Sequence, residues 1–369
     1  IKDIINGLRY PDRVSSSASE STRDEHVAGV TLQELDQNSI AVLPFRNISN
    51  DPSQEYFADG ITENILMELS GLKHLKVISR TSIMRYKNTV QTAPEIATDL
   101  RVNYILEGSA QSYGNKVRIN AQLIEAQKDE TLWSKVFVES LDDIFEIQNN
   151  VAETVAKELR VSLNPQEKEV LQAVPTQNQA AYDLFLKGRH AFNQWGVEGY
   201  KAASEYFKRA IDLDPEFQLA YSNLASSYSA RMSWNGDLSP AEAQEKIEVY
   251  LDEAWKLGAT DNDYLTKAFL EFFIAKDFDA SEEYLLKAMT MNTNNAMVVY
   301  TYSYLLNMMG RFEEAIAMVN KAKGIEPLTV AYYNYQTICD YLGGEYDKAL
   351  GTLNEALKLY PSVLRLYDY

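Results

Sequence analysis

The sequence predicts an α/β (or α+β) domain built on a mixed sheet, followed by an all-α superhelix of paired-helix repeats. Two observations carry that division. Between Ser39 and Leu163, short apolar runs of strand length alternate with helical periodicity, whereas after Pro165 only helical patterning remains. Within the second part an alanine recurs at Ala210, Ala254, Ala288, Ala322 and Ala356, and the last three steps are each 34 residues. The expected organisation is a linker or juxtamembrane segment over 1–38, the α/β domain over 39–163, a linker over 164–180, and repeats over 181–369, about five units plus the start of another.

Each element follows from its residues. Ile1, Ile4, Ile5 and Leu8 share a helical face ahead of SSSASESTRDEH, a charged, Ser-rich stretch with nothing to bury. A juxtamembrane or interdomain helix and a frayed terminus both remain open there. Ile40–Phe45, Leu75–Ser79 and the run opening at Asn103–Leu106 have strand length, with helical stretches at about 61–69 and 94–100 between them. GSAQSYGNKVRINAQLIEA reads as a hairpin, with Gly114 and Asn115 supplying positive φ in the turn and Val117, Ile119, Ala121 and Leu123 sharing a face. Thr131–Val138 closes the sheet. Ser140 with Asp143 has capping-box spacing before a helix striped by Ile144, Ile147, Val151, Val155 and Leu159. Asp142, Asp143 and Glu146 then read as first-turn carboxylates favoured by the helix dipole rather than as metal ligands.

The repeats share more than the alanine. Seven residues before it stand Ala203, Ile247, Ser281, Ala315 and Ala349, mostly small, and proline follows it at Pro215, Pro327 and Pro361. Two helices cross closely only where little side chain lies between them, and proline stops the second helix. The first step is 44 residues, placing a ten-residue insertion near 231–240. These features, with Tyr221, Leu224, Ala225 and Tyr228 in the second unit, resemble the tetratricopeptide repeat. The first unit departs from that pattern, because Gly188 takes its small position only if about three residues are added around 193–197.

The segments IAVLPFRNISNDPSQEYFADGITENI, LKVISRTS, NYILEGSAQSYGNKVRINAQLIEA and DDIFEIQNNVAETVAKEL resemble, in order, the TolB amino-terminal-like domain that precedes tetratricopeptide arrays in bacterial membrane-associated regulators. CadC-like activators and cyclase-associated sensor regions have a comparable layout. The resemblance implies a sensory or interaction region and no enzyme, with a membrane tether outside this stretch. It implies an extracytoplasmic, periplasmic setting beside the inner membrane, with a cytoplasmic one left open. A start at Ile1 without Met and a stop in LRLYDY are read as the cut ends of a larger protein.

Strand, polar loop and helix start in SIAVLPFRNISNDPSQEYFADGITENI match the layout of phosphate loops, but Gly60 is the only glycine, no Lys-Ser/Thr pair follows, and Asp51, Glu55 and Asp59 repel an anion. Asp59 or Thr62 is expected to cap the helix and Asp51-Pro52 to make a turn, while Asp51 and Asp59 stay candidates for a cationic ligand. Arg80 lies just past a strand's carboxyl end, where ligands bind in open α/β sheets, and its alternative is pairing with a carboxylate. His26, His74 and His190 are far apart, there is no GxSxG motif, and no metal or cofactor is called for. The lone Cys339 reads as a buried small apolar side chain.

The array supplies the other candidates. Matching repeat registers places Met297, Tyr300, Tyr304, Asn307 and Met308 on the first-helix face of the fourth unit, which suits a peptide or protein partner, packing between units being the alternative. Trp234, in the inserted loop, is a candidate exposed contact. Acidic residues outnumber basic ones 53 to 35, for a net charge of -18, which disfavours direct nucleic acid binding. The reading is a sensor and interaction region of a bacterial regulator, taking a protein, peptide or small ligand, with a homodimer left open. Its alternatives are an accessory region of a nucleotide cyclase, a hydrolase using Arg80 and the acidic loop, and an envelope scaffold.

Overall fold

The computed structural model describes residues 38–49, 51–140, 143–233 and 237–359. Six strands form one mixed sheet: β1 (Ser39–Val42), β2 (Arg46–Asn47), β3 (Lys76–Val77), β4 (Tyr104–Tyr113), β5 (Lys116–Glu125) and β6 (Glu130–Ser140). The order is β3-β1-β4-β5-β6, with β1 parallel to both neighbours and β4, β5 and β6 an antiparallel meander. β2 continues β1 along the same side of β4, opposite Ser109 and Ala110. Pro44 lies at the break, and with no N–H it cannot extend the ladder.

Alternation decides which side each residue faces. Ile40 and Val42 pack into the large core, while Ala41 and Leu43 point into a smaller one with Ile78, Ile83 and Ile105. Val117, Ile119, Ala121 and Leu123 are all buried, as their alternation requires. Of the two hairpin residues only Gly114 has positive φ, at 57°, so the turn needs left-handed backbone at one position rather than two.

The helices around the sheet are α1 (Glu55–Ser70), the short α2 (Arg80–Ile83), α3 (Ala93–Leu100), α4 (Ile144–Glu158) and α5 (Pro165–Gln172), the last lying in the stretch read as a linker. Helix α1 starts six residues before the expected Ile61. Asp59 and Thr62 are therefore interior and cap nothing; Thr62 instead bridges the Phe45 amide, which it accepts at 2.9 Å, and the Ala58 carbonyl. The cap in this loop is Asp51, whose Oδ1 accepts the Ser53 N–H at 2.9 Å ahead of Pro52. The expected Ser140 cap of α4 is also absent: Ser140 ends β6 and its hydroxyl meets Asn115 of the hairpin. The apolar stripe of α4 is buried as spaced.

Five helical hairpins follow: α6 (Gln179–Phe192) with α7 (Val197–Leu213), α8 (Gln218–Ser233) with α9 (Pro240–Leu257), α10 (Asp261–Leu270) with α11 (Phe278–Met291), α12 (Ala296–Met308) with α13 (Phe312–Ile325), and α14 (Val330–Leu342) with α15 (Tyr346–Leu359). A π turn, Glu271–Ala275, extends α10. Ala210, Ala254, Ala288, Ala322 and Ala356 are fully buried, and Ala203, Ile247, Ser281, Ala315 and Ala349 are buried at the matching crossings. Gly188 does serve as the small position of the first hairpin: a Cβ there would lie 2.5 Å from the Phe207 ring. One apolar core runs without a break from Ile40 of the sheet to Leu270 of the third hairpin. Among the described residues no helix is long and apolar enough to cross a membrane.

Candidate functional site

Helix α1 is enclosed along Phe57–Ile65, packed against β4, α4 and the first repeat helix α6. Gly60 sets the approach of α6, because a Cβ there would stand 2.7 Å from Leu186 Cδ2. Asp59 and Glu63, one helical turn apart, are thereby carried into the junction at 5% and 3% exposure. Charges this deep need partners, and each has them.

Arg80 Nε bonds Glu63 Oε1, joined by Asn193 Nδ2 at 2.9 Å, while Arg189 Nη2 lies 2.6 Å from Oε2. Asp59 takes Lys87 Nζ at 2.6 Å on Oδ1 and His190 Nδ1 at 3.2 Å on Oδ2. Lys87 also reaches Glu55 at 2.7 Å. Burial alone would raise the Asp59 carboxyl, but the His190 and Lys87 hydrogen bonds and the charges of Lys87 and Arg80 outweigh it and hold its pKa below the usual aspartate value. Beside the cluster Asn64 and Gln148 both donate to the Tyr182 hydroxyl, and Tyr56 donates to Asp183 at 2.5 Å. A cavity of about 290 Å³ opens there between Tyr56, Phe145, Tyr182 and Asp183.

Two candidates from the acidic loop and from the strand end, Asp59 and Arg80, thus meet in one cluster. Asp51 does not join them; it is solvated and occupied with its cap. The residues that sequence reasoning missed are Glu63, Lys87, Arg189, His190 and Asn193. The signal was present in complementary form: an acidic pair spaced i, i+4 on α1, and Arg189 and His190 in the last turn of α6 with Asn193 just past its end. Nothing local says that these two faces pair across some 125 residues. Among the described residues no group of three or more His, Cys, Asp or Glu side chains is placed to hold a metal ion.

On the array, Tyr300 and Tyr304 are half-buried between units. Tyr300 packs 4.9 Å from Tyr332 and 5.4 Å from Tyr335, and Tyr304 lies 5.6 Å from Phe272 and 5.4 Å from Tyr335. Asn307 is half-buried beside Tyr335. The outward members are Met297 and Met308, 43% and 55% exposed, with Phe273 of the preceding unit at 41%. Trp234 lies outside the described residues. Farther along, the array returns to the α/β domain: Asn294 Nδ2 donates to the Ser70 and Leu75 carbonyls at 3.1 and 2.9 Å, and Ser79 bonds Glu326.

Residues 36–154 match the HilA/YgeH-like transcriptional regulator family, second domain. A Rhizobium meliloti (strain 1021) protein provisionally named adenylate cyclase 3 is 38% identical over 187 residues, 51% of this chain and 32% of that protein. The transcriptional regulator HilA of Salmonella typhimurium is 20% identical over 339 residues, 88% of this chain and 59% of that protein. The chain therefore spans about a third and three fifths of the length of these curated relatives. Among solved structures, YrrB, described as a TPR protein with an unusual peptide-binding site, aligns with 56% of this chain and 97% of its own at 14% identity and a TM-score of 0.37. The front of the chain is thus similar to a domain of bacterial transcription regulators, and it is followed by a helical-repeat array.

Proposed function

We propose that this chain is a non-enzymatic sensor and protein-interaction region of a bacterial signalling or transcription regulator. It takes a peptide or protein on the first-helix face of the repeats and passes that event to the α/β domain. The observation that carries the reading is the fused junction, where Asp59 and Glu63 of α1 pair with His190 and Arg189 of the first repeat above a core continuous from Ile40 to Leu270. A shift of α6 must drag α1, and with it the sheet, because breaking these buried pairs is costly. The carboxylates of the cluster are neutralised by cations, which suits a mechanical joint better than a general base. The TolB amino-terminal-like kinship and a periplasmic position beside the inner membrane belong to the same proposal.

Met297, Met308 and Phe273 are the proposed contacts, as exposed, adaptable apolar groups on the first-helix face. A photo-crosslinking residue at Met297 or Met308, introduced into the full-length protein in its native host, is expected to capture one dominant protein, and Phe273→Glu to abolish that capture. Equal capture from Val249, exposed on the second helix α9, would sink the reading. A second reading, an accessory region of a nucleotide cyclase, is favoured by the 38% identity over 187 residues to the Rhizobium protein. Cyclase activity in the full-length protein that changes when this region is deleted would establish it.

A further inference from the structure

The chain carries a net charge of -18, yet one cavity of about 580 Å³ is lined by cations. It lies where the turn after α1 meets the fourth repeat, and its lining includes Lys73, His74, Lys76 and Lys321, with Asn38, Thr293 and Asn294 as neutral polar groups and no carboxylate among the described residues. In none of the ion pairs formed among the described residues do Lys73, His74 or Lys321 take part. The chain has 53 acidic residues to 35 basic ones, so two lysines gathered here without a carboxylate partner among the described residues are a selective feature.

The walls are held by structure that does not depend on those side chains. Asn294 clamps the turn through the Ser70 and Leu75 carbonyls, and Glu167 accepts the Lys73 backbone N–H at 3.1 Å. The Lys76 N–H is held by the Asn38 carbonyl at 2.9 Å, and buried Leu75 and Ile325 form the apolar part of the lining. The volume falls in the range of small-molecule sites. Lysine is a point-charge binder of phosphate oxygens, and a concave setting strengthens its attraction relative to open water.

We propose that this cavity binds a small phosphate-bearing anion, which bridges Lys73 and His74 of the α/β domain to Lys321 of α13. Without it, like charges face one another across the contact; with it, the fourth repeat is tied to the sheet domain. Such a ligand favours the docked arrangement of array on α/β domain, a small-molecule input separate from the peptide face and independent of it.

The test uses the 369-residue chain at low salt, titrated calorimetrically with inorganic pyrophosphate and with ATP, and with citrate as a phosphate-free polyanion. Saturable one-to-one binding of a phosphate probe is expected, with a rise of a few degrees in Tm at large excess. Lys73→Glu and Lys321→Glu are each expected to weaken it about tenfold and the pair about a hundredfold. Lys321→Gln checks the effect without charge reversal, and Lys276→Glu, on an exposed turn, leaves binding unchanged. All variants retain the wild-type circular dichroism spectrum, since Lys73 and Lys321 are exposed. No saturable binding at millimolar probe, undiminished binding by the Lys73→Glu/Lys321→Glu variant, or equal affinity for citrate would overturn the proposal.

Discussion

The junction cluster makes a quantitative prediction about Glu63. Its carboxylate is 3% exposed and faces Arg80, Arg189 and Asn193, all of them donors. In Glu63→Gln one oxygen still accepts, but the new amide points donors at a guanidinium, and two cations are left facing each other. Removing one partner of a buried pair costs about 3–5 kcal/mol, and the guanidinium groups, 24% and 19% exposed, retain enough water to place this case near 3 kcal/mol. Arg189→Gln should cost less, about 1–2 kcal/mol, because Arg80 and Asn193 continue to serve Glu63. Together the two changes remove both opposed charges, so the double variant should lose about 1–2 kcal/mol less than the sum of the singles. Equilibrium urea unfolding followed by circular dichroism, with m-values compared, measures all four corners of the cycle. Additivity to within about 0.5 kcal/mol would show that these side chains do not interact across the junction, and the mechanical coupling argument would lose its basis.

Three further outcomes are expected. Gly188→Ala places a methyl 2.5 Å from the buried Phe207 ring, which is backed by Phe185 at 5.7 Å; overpacking of about 1–3 kcal/mol less the helix-propensity gain of about 1 kcal/mol leaves a loss of about 0–2 kcal/mol in thermal unfolding, and a variant stabilised by the full propensity gain would refute the close crossing. Burial raises the Glu68 pKa to about 8, and its Oε2 is buried without a hydrogen-bond partner; the contribution from its protonated form is full below the ordinary value of 4.5 and is lost as pH rises to about 8, so stability should fall across that window and Glu68→Gln should flatten the profile. Burial also pushes the Cys339 thiol up to about 12, so a thiol reagent at pH 8 should label the native protein negligibly and the urea-unfolded protein fully.

How much could be read in advance depended on how local the controlling interaction is. The repeat alanines from Ala210 to Ala356 and the stripe from Ile144 to Leu159 declare themselves because a helix brings residues three, four and seven apart onto one face whatever else the chain does. The hairpin from Tyr104 to Glu125 was readable for the same reason, with period two. The start of α1 was not. Glu55 to Gly60 look like the end of a polar, glycine-containing loop, and they are helical because the stretch from Phe57 to Glu63 is enclosed by α4, α6 and the sheet, with partners for Thr62, Asp59 and Glu63. The tyrosines of the fourth unit were ambiguous from register alone, since facing the groove and facing the next unit lie a fraction of a helical turn apart; packing against Tyr332, Tyr335 and Phe272 leaves Met297 and Met308 as the outward pair.

The order of elements, the change from mixed to helical patterning and the small-residue crossings were therefore settled by short-range periodicity, a property of neighbouring residues. Long-range contact alone decided that His190 answers Asp59, that Arg189 and Arg80 share Glu63, and that Lys73 and Lys321 line one cavity. Those pairings join residues more than a hundred positions apart, except for Arg80 with Glu63, and depend on how two helices cross and how an array curves back, which local spacing does not encode.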